Sequence, residues 1–264
     1  MNILSILKIG CTALLYGALA STGSALAAPL VVDDFSSPGL AVTGTPTGSG
    51  AQFFERSFDT FAGVAGQVRE ANYNLYSDPS SSGAQVSIGG GSASVYAGKA
   101  ALGEYIFSYG AFTRPTGDPA IGGPFLNLDL RGFNNFQVEF GAVIHSLNIN
   151  VVLYTSVPLL LPDGRPLYYL QSGINIGPAT PGGPMTADLF LNGLNPLAAS
   201  FAPYFNFSKV DGIVLLIDRS GFATGNAYSL DRLSFAQTVP EPSTWALMLA
   251  GLAAIGGLSR RSRR

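Results

Sequence analysis

Side chains that could catalyse a reaction are scarce in this chain of 264 residues. His145 is the single histidine, so it is the one imidazole that could act as a general base, and Cys11 is the single cysteine. Nucleophilic catalysis needs a nucleophile, a base and a group that orients the base. His145 ends an apolar strand-like run, which is typical of a structural histidine, and no serine lies in a Gly-x-Ser-x-Gly elbow. The sequence therefore predicts no catalytic residue and a protein that is not an enzyme.

Paired carboxylates are the remaining route to catalysis, because glycoside hydrolases use two of them. The acids of the central region are spread along the chain: Asp129, Glu139, Asp188, Asp211 and Asp218. Their spacing does not show which of them converge, so a hydrolase of matrix sugars stays as the less favoured alternative. The glycine run Gly89 to Gly91 lacks the Lys-Ser/Thr of a phosphate-binding loop and predicts a turn between strands.

Composition excludes several further classes of protein. Charged residues make up 11% of the chain, against about 25% in ordinary soluble domains. The formal net charge of −2 gives no basic footprint for nucleic acid. One cysteine and one histidine exclude a disulfide framework and the metal sites built from several such residues. The 33 glycines and 17 prolines indicate a chain with many turns.

The first 27 residues predict a secretory signal peptide. The positive charge of Lys8 precedes an apolar run from Ile9 to Ala20, and the Ala-Leu-Ala sequence ending at Ala27 fits the small-x-small cleavage rule. We expect signal peptidase to cut before Ala28, which leaves a mature chain without Cys11, as suits an oxidising exterior. A retained membrane anchor is the alternative, but the apolar run is short for a span.

The last 26 residues, 239–264, have a different targeting pattern. The triplet Pro240-Glu241-Pro242 precedes Trp245, the apolar run Ala246 to Leu258 and a final cluster of four arginines. The prolines stop a helix from running back into the upstream region. An interfacial tryptophan, an apolar helix and a basic end predict a single transmembrane helix whose arginines stay on the cytoplasmic side.

This tail resembles the PEP-CTERM sorting signal of Gram-negative bacterial surface proteins. The resemblance rests on the triplet Pro240-Glu241-Pro242, the helix and the arginine cluster, in that order. It implies recognition by an exosortase, a membrane-embedded transpeptidase-like protease that would cut near the triplet. It also implies transient anchoring in the inner membrane, then a cell-surface or extracellular location in company with exopolysaccharide and biofilm matrix. An ordinary tail anchor is the alternative.

Residues 28–238 predict an all-β domain, and no window of a dozen residues has helical periodicity. Apolar and polar residues alternate with the period of two that strands require in four runs: Gln67 to Tyr76, Phe125 to Leu130, Phe136 to Phe140 and Leu147 to Tyr154. Val210 to Ile217 loses this alternation, which predicts a central strand buried on both faces. Roughly ten to thirteen short strands indicate one antiparallel β-sandwich of jelly-roll or Greek-key type. Gly110 to Gly123 is the longest predicted loop.

The order of landmarks in this domain is similar to that of exported β-sandwich domains and, in outline, of jelly-roll carbohydrate-binding modules. Asp33-Asp34-Phe35 opens the mature chain, Gly89 to Gly91 forms a turn, and Tyr228 to Phe235 ends the domain. The resemblance implies a structural calcium ion between the first and last strands, with Asp33, Asp34 and Asp231 as candidate ligands. Ca²⁺ takes six to eight oxygens, which carboxylates and strand-end carbonyls can supply. Solvated acids at a strand edge are the alternative.

Surface recognition is the function that remains after these exclusions. Tyr168 and Tyr169 are adjacent, so in a strand they face opposite ways and one of them can point outward. Tyr204-Phe205 is a similar pair. Flat aromatic rings stack on sugar rings, and amides or carboxylates bond the hydroxyl groups. We therefore expect a non-enzymatic surface or matrix protein that binds exopolysaccharide. A structural or adhesive protein that acts by self-association is the alternative.

Overall fold

The computed structural model describes residues 28–37, 41–44, 52–57, 64–77, 83–99, 101–113, 119–122, 124–191, 200–218 and 226–237. The predicted signal peptide and the predicted transmembrane tail lie outside these residues, and the domain boundaries given above stay predictions. Within the described ranges, no helix is long and apolar enough to cross a membrane.

Strands make up most of the described chain, as the alternating sequence runs predict. The helical residues in this part are two 3₁₀ turns, Ala65–Gln67 and Ala202–Tyr204, and the α-helical Ser200 and Phe201 just before the second turn. The fourteen strands of the described residues are β1 (Leu30–Asp33), β2 (Ala41–Gly44), β3 (Gln52–Ser57), β4 (Arg69–Ser77), β5 (Ala84–Gly89), β6 (Ser92–Ala97), β7 (Leu102–Thr113), β8 (Pro119–Gly122), β9 (Asn135–Val143), β10 (Leu147–Leu160), β11 (Pro166–Ile176), β12 (Gly183–Phe190), β13 (Gly212–Asp218) and β14 (Asn226–Ala236).

These strands form two antiparallel seven-stranded sheets that pack as a sandwich, which confirms the predicted fold class. Sheet A has the order β12-β9-β14-β6-β5-β2, and β1 pairs with β14. Sheet B has the order β11-β10-β13-β7-β4-β3, and β8 pairs with β7. Neighbouring strands in each sheet are often far apart in sequence, as the long connections of sandwich topologies require.

The core lies between the two sheets and takes every second residue of the facing strands. On β10 the alternation predicted from sequence is visible directly, since Leu147, Ile149, Val151 and Leu153 are buried. The predicted central strand, β13, lies between β10 and β7. Its alternate residues face the core, and Val214 on the opposite face is also buried. Burial on both faces explains why that run lacks a polar stripe.

The predicted strand Phe125 to Leu130 is wrong. Within it, Leu128 alone forms a bridge, to Val210, and the neighbouring N–H groups bond carbonyls of the segment that leads into β13. Asn127 has a φ of 51°, in the left-handed region, which an extended ladder does not allow. The alternation of apolar residues here fits a chain that lies across the sandwich end without joining a sheet.

The predicted loop Gly110 to Gly123 is wrong where the structure describes it, at residues 110–113 and 119–122. β7 continues to Thr113, and β8 returns beside it as a short hairpin partner. Gly110 has a φ of 82°, which glycine adopts without strain, and β7 continues past it to Thr113. The glycine that the sequence placed at the start of a loop therefore lies within a strand.

Candidate functional site

Asp33, the first predicted calcium ligand, lies fully buried between the two sheets. Its Oδ1 accepts hydrogen bonds from the Phe35 N–H and from Arg69, and its Oδ2 accepts from Arg69 Nε at 2.5 Å and from the Tyr109 hydroxyl at 2.8 Å. A carboxylate has about four lone-pair sites, and these four bonds occupy them. Arg69 therefore stands where the calcium prediction places a cation.

The pKa values of the two groups bound to Asp33 follow from this arrangement. Burial raises the pKa of Tyr109 well above its usual range, and the Asp33 carboxylate raises it further. Burial is the largest single influence on Arg69 and disfavours its charge, but the hydrogen bond to Asp33 and the electrostatic attraction of Tyr109 and Asp33 together outweigh that cost and raise its pKa. Tyr109 therefore stays a protonated donor and Arg69 stays a cation at any ordinary pH.

The other two predicted calcium ligands lie apart from this pair. Asp34 accepts bonds from the hydroxyl and N–H of Ser36, and these two bonds lower its pKa. Asp231 is exposed, and its carboxylate reaches the space above Gly141 on sheet A. Among the described residues, no three His, Cys, Asp or Glu side chains form a group that could hold a metal. Calcium at these acids stays a prediction that the described geometry does not favour.

The residues considered for catalysis are separated in the fold. His145 lies half-buried in the turn between β9 and β10. Asp129 is paired with Arg131 in an exposed bridge, and the hydrogen bonds from Arg131 lower its pKa to about 2. Asp188 accepts from the amides of Asn135 and Gln137 at 2.7 and 2.8 Å. Asp129 and Asp188 therefore each have a local partner that accounts for the carboxylate.

A tyrosine pair with one exposed and one half-buried member lies on the outer face of sheet B, at the edge formed by β10 and β11. Tyr154 and Tyr169 are directly opposite each other across the two strands. Their ring centroids are 6.1 Å apart with an interplanar angle of 39°. Tyr154 packs on Val152 and Val214, a small apolar cluster separate from the main core. Tyr169 is 48% exposed, so the pair presents aromatic surface to solvent on an apolar support.

A row of amides continues this surface along the same two strands. Gln171 Nε2 donates to Asn150 Oδ1 at 3.3 Å, and Asn150 Nδ2 donates to Asn148 Oδ1 at 2.6 Å. Gly173 faces Asn150 across the ladder, and a Cβ at that glycine would collide with the Asn150 amide. The missing side chain therefore makes room for the amide. We name Tyr154, Tyr169, Gln171, Asn150 and Asn148 together the tyrosine–amide face.

The hairpin that carries this face extends beyond the core, and buried polar contacts fix its base. The register of β10 against β11 shifts after Tyr154, which marks a bulge. At this bulge the Ser156 N–H and hydroxyl donate to Asp211 Oδ2 at 2.7 and 2.6 Å, and Asp211 itself is 1% exposed. The Asn206 amide donates to the Val157 carbonyl at 2.8 Å. Asp211 thus positions the strand segment next to Tyr154.

A groove of about 530 Å³ borders the tyrosine–amide face along the free side of β11. Its lining is mainly apolar and aromatic, with one amide and one guanidinium: Leu161, Arg165, Pro166, Leu167, Tyr168, Tyr169, Leu170, Gln171 and Phe201. Arg165 bonds the neighbouring Asp163 in the hairpin turn. A mostly apolar cleft with a few polar groups is the usual form of a ligand site.

The sequence predicted part of this surface. Tyr168 and Tyr169 are both exposed, since the hairpin extends past the core and both faces meet solvent. In the second pair, Tyr204 is half-buried and Phe205 is buried. The alternation of Leu147 to Tyr154 already placed Asn148, Asn150 and Tyr154 on one polar face. The sequence did not show that β11 brings Tyr169 and Gln171 beside that face.

Comparison with protein families finds one match. Residues 238–264 match the family of the PEP-CTERM protein-sorting motif, which confirms the predicted sorting signal and includes Pro240, Glu241 and Pro242. The motif indicates an exported protein that an exosortase processes. Comparison with curated proteins finds no match.

Comparison with solved structures finds a carbohydrate-binding module, an agarase and a xyloglucanase domain at low identity. A family 11 carbohydrate-binding module of the cellulosomal cellulase Lic26A-Cel5E of Clostridium thermocellum has 8% identity and a TM-score of 0.35, over 81% of this chain and 98% of that one. The agarase AgWH50C has 13% identity and a TM-score of 0.40, over 81% of this chain and 25% of the agarase. The xyloglucanase domain of NopAA from Sinorhizobium fredii, in complex with cellobiose, has 12% identity and a TM-score of 0.33, over 76% of this chain and all of that domain.

Proposed function

We propose that this exported chain is a non-enzymatic surface or matrix protein that binds neutral polysaccharide through its tyrosine–amide face. The observation that carries the proposal is the pair of exposed Tyr169 and half-buried Tyr154 beside the connected amides of Gln171, Asn150 and Asn148. Signal peptidase would remove residues 1–27, and an exosortase would cut near Pro240 to Pro242. The processed domain would then associate with exopolysaccharide of a biofilm.

The chemistry of the face supports a sugar ligand. Tyrosine rings offer flat apolar surfaces that stack on the apolar faces of sugar rings. Amides offer both donors and acceptors, which matches sugar hydroxyl groups because those also donate and accept. Interactions of both kinds on one rigid sheet favour a ligand with apolar faces and polar edges.

The charge of the face supports a neutral ligand. Its five residues include no carboxylate, ammonium or guanidinium group. Arg165 is the nearest cation in the bordering groove, and its guanidinium is paired with Asp163. An acidic polysaccharide would find no free cation among these residues. A neutral chain needs none, because stacking and neutral hydrogen bonds supply its affinity.

Binding of the full chain, purified in mild detergent, to a polysaccharide panel tests this proposal. The panel would contain β-glucan, agarose and xyloglucan as neutral members and polygalacturonate as the acidic member. We expect retention by at least one neutral member, no retention by polygalacturonate and no release of reducing sugar. Retention by the acid alone would contradict the ligand class, and sugar release from a neutral member would support the hydrolase instead.

A second candidate function is self-association. The tip of the β10–β11 hairpin exposes Val157, Leu159 and Leu160, and Leu160 is 64% exposed. Apolar tips of this kind favour contact with another apolar surface. Sedimentation of the full chain over a range of concentrations, without glycan, tests it. Concentration-dependent oligomers that Leu160→Ser abolishes would favour this function, and a constant mass in wild type would exclude it.

A further inference from the structure

A second groove, whose lining has no charged residue, lies on the other outer face of the sandwich, on sheet A, and the function proposed above does not use it. The groove has a volume of about 500 Å³ and lies over β5, β6, β14 and the end of β9. Its floor is a row of three serines on three paired strands, where Ser87 is opposite Ser94 and Ser94 is opposite Ser229. We name this groove the serine trough.

The walls of the serine trough are aromatic and apolar. The neighbouring row runs from Gln85 through Tyr96 to Ala227, and Ile144 donates its N–H to the Ala227 carbonyl. Tyr96 is 48% exposed and Ile144 is 40% exposed. The small side chain of Ala227 lies between them. The trough thus has a hydroxyl floor, an amide at one end and an exposed tyrosine in its wall.

A carboxylate lies beside one end of the trough. Gly141 has no side chain, and the Asp231 carboxylate and the Ser229 hydroxyl both reach the space that a Cβ at this residue would occupy. A carboxylate accepts hydrogen bonds and repels anions, so an acidic polysaccharide is disfavoured at this end. The exposed acid, the hydroxyl row and the tyrosine match a chain of neutral sugars, whose hydroxyls would donate to Asp231.

We infer that the serine trough is a second binding site for neutral polysaccharide, and that the protein crosslinks polysaccharide chains through its two outer faces. Tyr96 lies on sheet A, and Tyr154 with Tyr169 lies on sheet B, so the two sites face away from each other across the sandwich. One rigid polysaccharide chain cannot contact both faces at once. Two sites on opposite faces therefore bind two different chains and join them. The crosslinking part of this inference rests on the function proposed for the tyrosine–amide face.

Titration calorimetry and light scattering with the full chain test both parts. The probe for calorimetry is a hexasaccharide of the neutral panel member that the chain retains, and the variants are Tyr96→Ala, Tyr169→Ala and the double variant. Phe125→Ala is the matched control, because Phe125 is 54% exposed and belongs to neither site. We expect two hexasaccharides per wild-type or control chain, one per single variant and none for the double variant. Light scattering of long soluble polysaccharide should rise with wild type and fall at least tenfold with either single variant.

Each other outcome would overturn a stated part of the two proposals. One hexasaccharide per wild-type chain, lost in Tyr169→Ala and kept in Tyr96→Ala, would overturn the second site and leave the proposed function intact. One hexasaccharide lost only in Tyr96→Ala would support the serine trough and overturn crosslinking together with the tyrosine–amide face. Two hexasaccharides per chain without a rise in scattering would overturn crosslinking alone. Absence of binding by every panel member would overturn both proposals.

Discussion

The Asp33 carboxylate and the Arg69 guanidinium meet in a buried two-point ion pair that joins β1 of sheet A to β4 of sheet B. The side chain of Asp33 is 0% exposed and that of Arg69 is 3% exposed. Arg69 also lies 5.2 Å above the ring centroid of Phe35, whose ring packs in the core. The first strand of the domain is therefore attached to the opposite sheet by a desolvated charge pair.

Removal of one partner from this pair should destabilise the domain strongly. Arg69→Met leaves the Asp33 carboxylate buried without its cation, and such a change costs about 3–5 kcal/mol in the free energy of unfolding. Urea unfolding followed by tyrosine fluorescence measures this loss. The matched control is Arg131→Met, which breaks the exposed pair with Asp129 and should change stability little. Equal stability of the two variants would show that the buried pair is not important for the fold.

The exposed Asp129–Arg131 pair gives a pH-dependent prediction. The hydrogen bonds that Arg131 donates to Asp129 lower the pKa of this carboxyl from 3.8 to about 2, so the ionised form is favoured in the folded state. The stabilisation that this pair gives the folded state is therefore present above pH 3.8 and is lost as the pH falls through about 2. Carboxyl carbon chemical shifts, followed against pH by NMR, should give that pKa in wild type. In Arg131→Met the same signal should titrate closer to 3.8, and an unchanged midpoint would exclude the pair in solution.

Asp211 should control the hairpin that carries the tyrosines. Asp211→Ala removes the carboxylate that accepts from the Ser156 N–H and hydroxyl, and a hydrogen bond to a charged group contributes about 1.5–3 kcal/mol. We expect lower stability together with faster hydrogen exchange of β10 beyond Tyr154. Ser156→Ala removes the hydroxyl bond alone and should have a smaller effect. Exchange of β10 at the wild-type rate in Asp211→Ala would contradict this role.

Gly173→Ala tests the amide row without changing any polar group. The new Cβ would collide with the Asn150 amide, so that side chain must rotate away from Gln171 and Asn148. We expect a weaker affinity for neutral glycan with a small loss of stability, and isothermal titration measures the affinity. Gly132→Ala is the matched control, because a Cβ there meets no atom within 4 Å. The same affinity in both variants would exclude Asn150 from the binding surface.

Local pattern in the sequence predicted the strands well where alternation reflects burial. The alternation of β10 from Leu147 to Tyr154 is one example, since its apolar residues are those that face the core. The same rule failed at Phe125 to Leu130, because apolar residues with a period of two also fit an irregular segment packed on the sandwich end. Alternation reports which side of a segment is buried, and it does not report a ladder partner.

The candidate site depends on long-range pairing, which a single sequence does not contain. Tyr154 and Tyr169 are opposite each other only because β10 bulges after Tyr154 and the hairpin turns at Pro162 to Gly164. A shift of one residue would turn Tyr169 to the other face of the sheet. Likewise, Asp33 could be read as an exposed calcium ligand because its partner, Arg69, lies 36 residues away in the chain. The sorting motif is a local pattern, so it was predicted in full.

Affinity of the Tyr169→Ala variant for neutral polysaccharide tests the central claim most directly. The measurement is isothermal titration with the hexasaccharide of the panel member that the chain retains. Both full-length chains carry Tyr96→Ala, so that the tyrosine–amide face is the site titrated, and one of them also carries Tyr169→Ala. Loss of a central aromatic anchor typically costs about 2 kcal/mol or more, which is at least a tenfold weaker affinity. We predict that loss for Tyr169→Ala, with wild-type stability and with no change for the exposed control Phe125→Ala. An affinity of Tyr169→Ala within twofold of its parent would contradict glycan binding at this face.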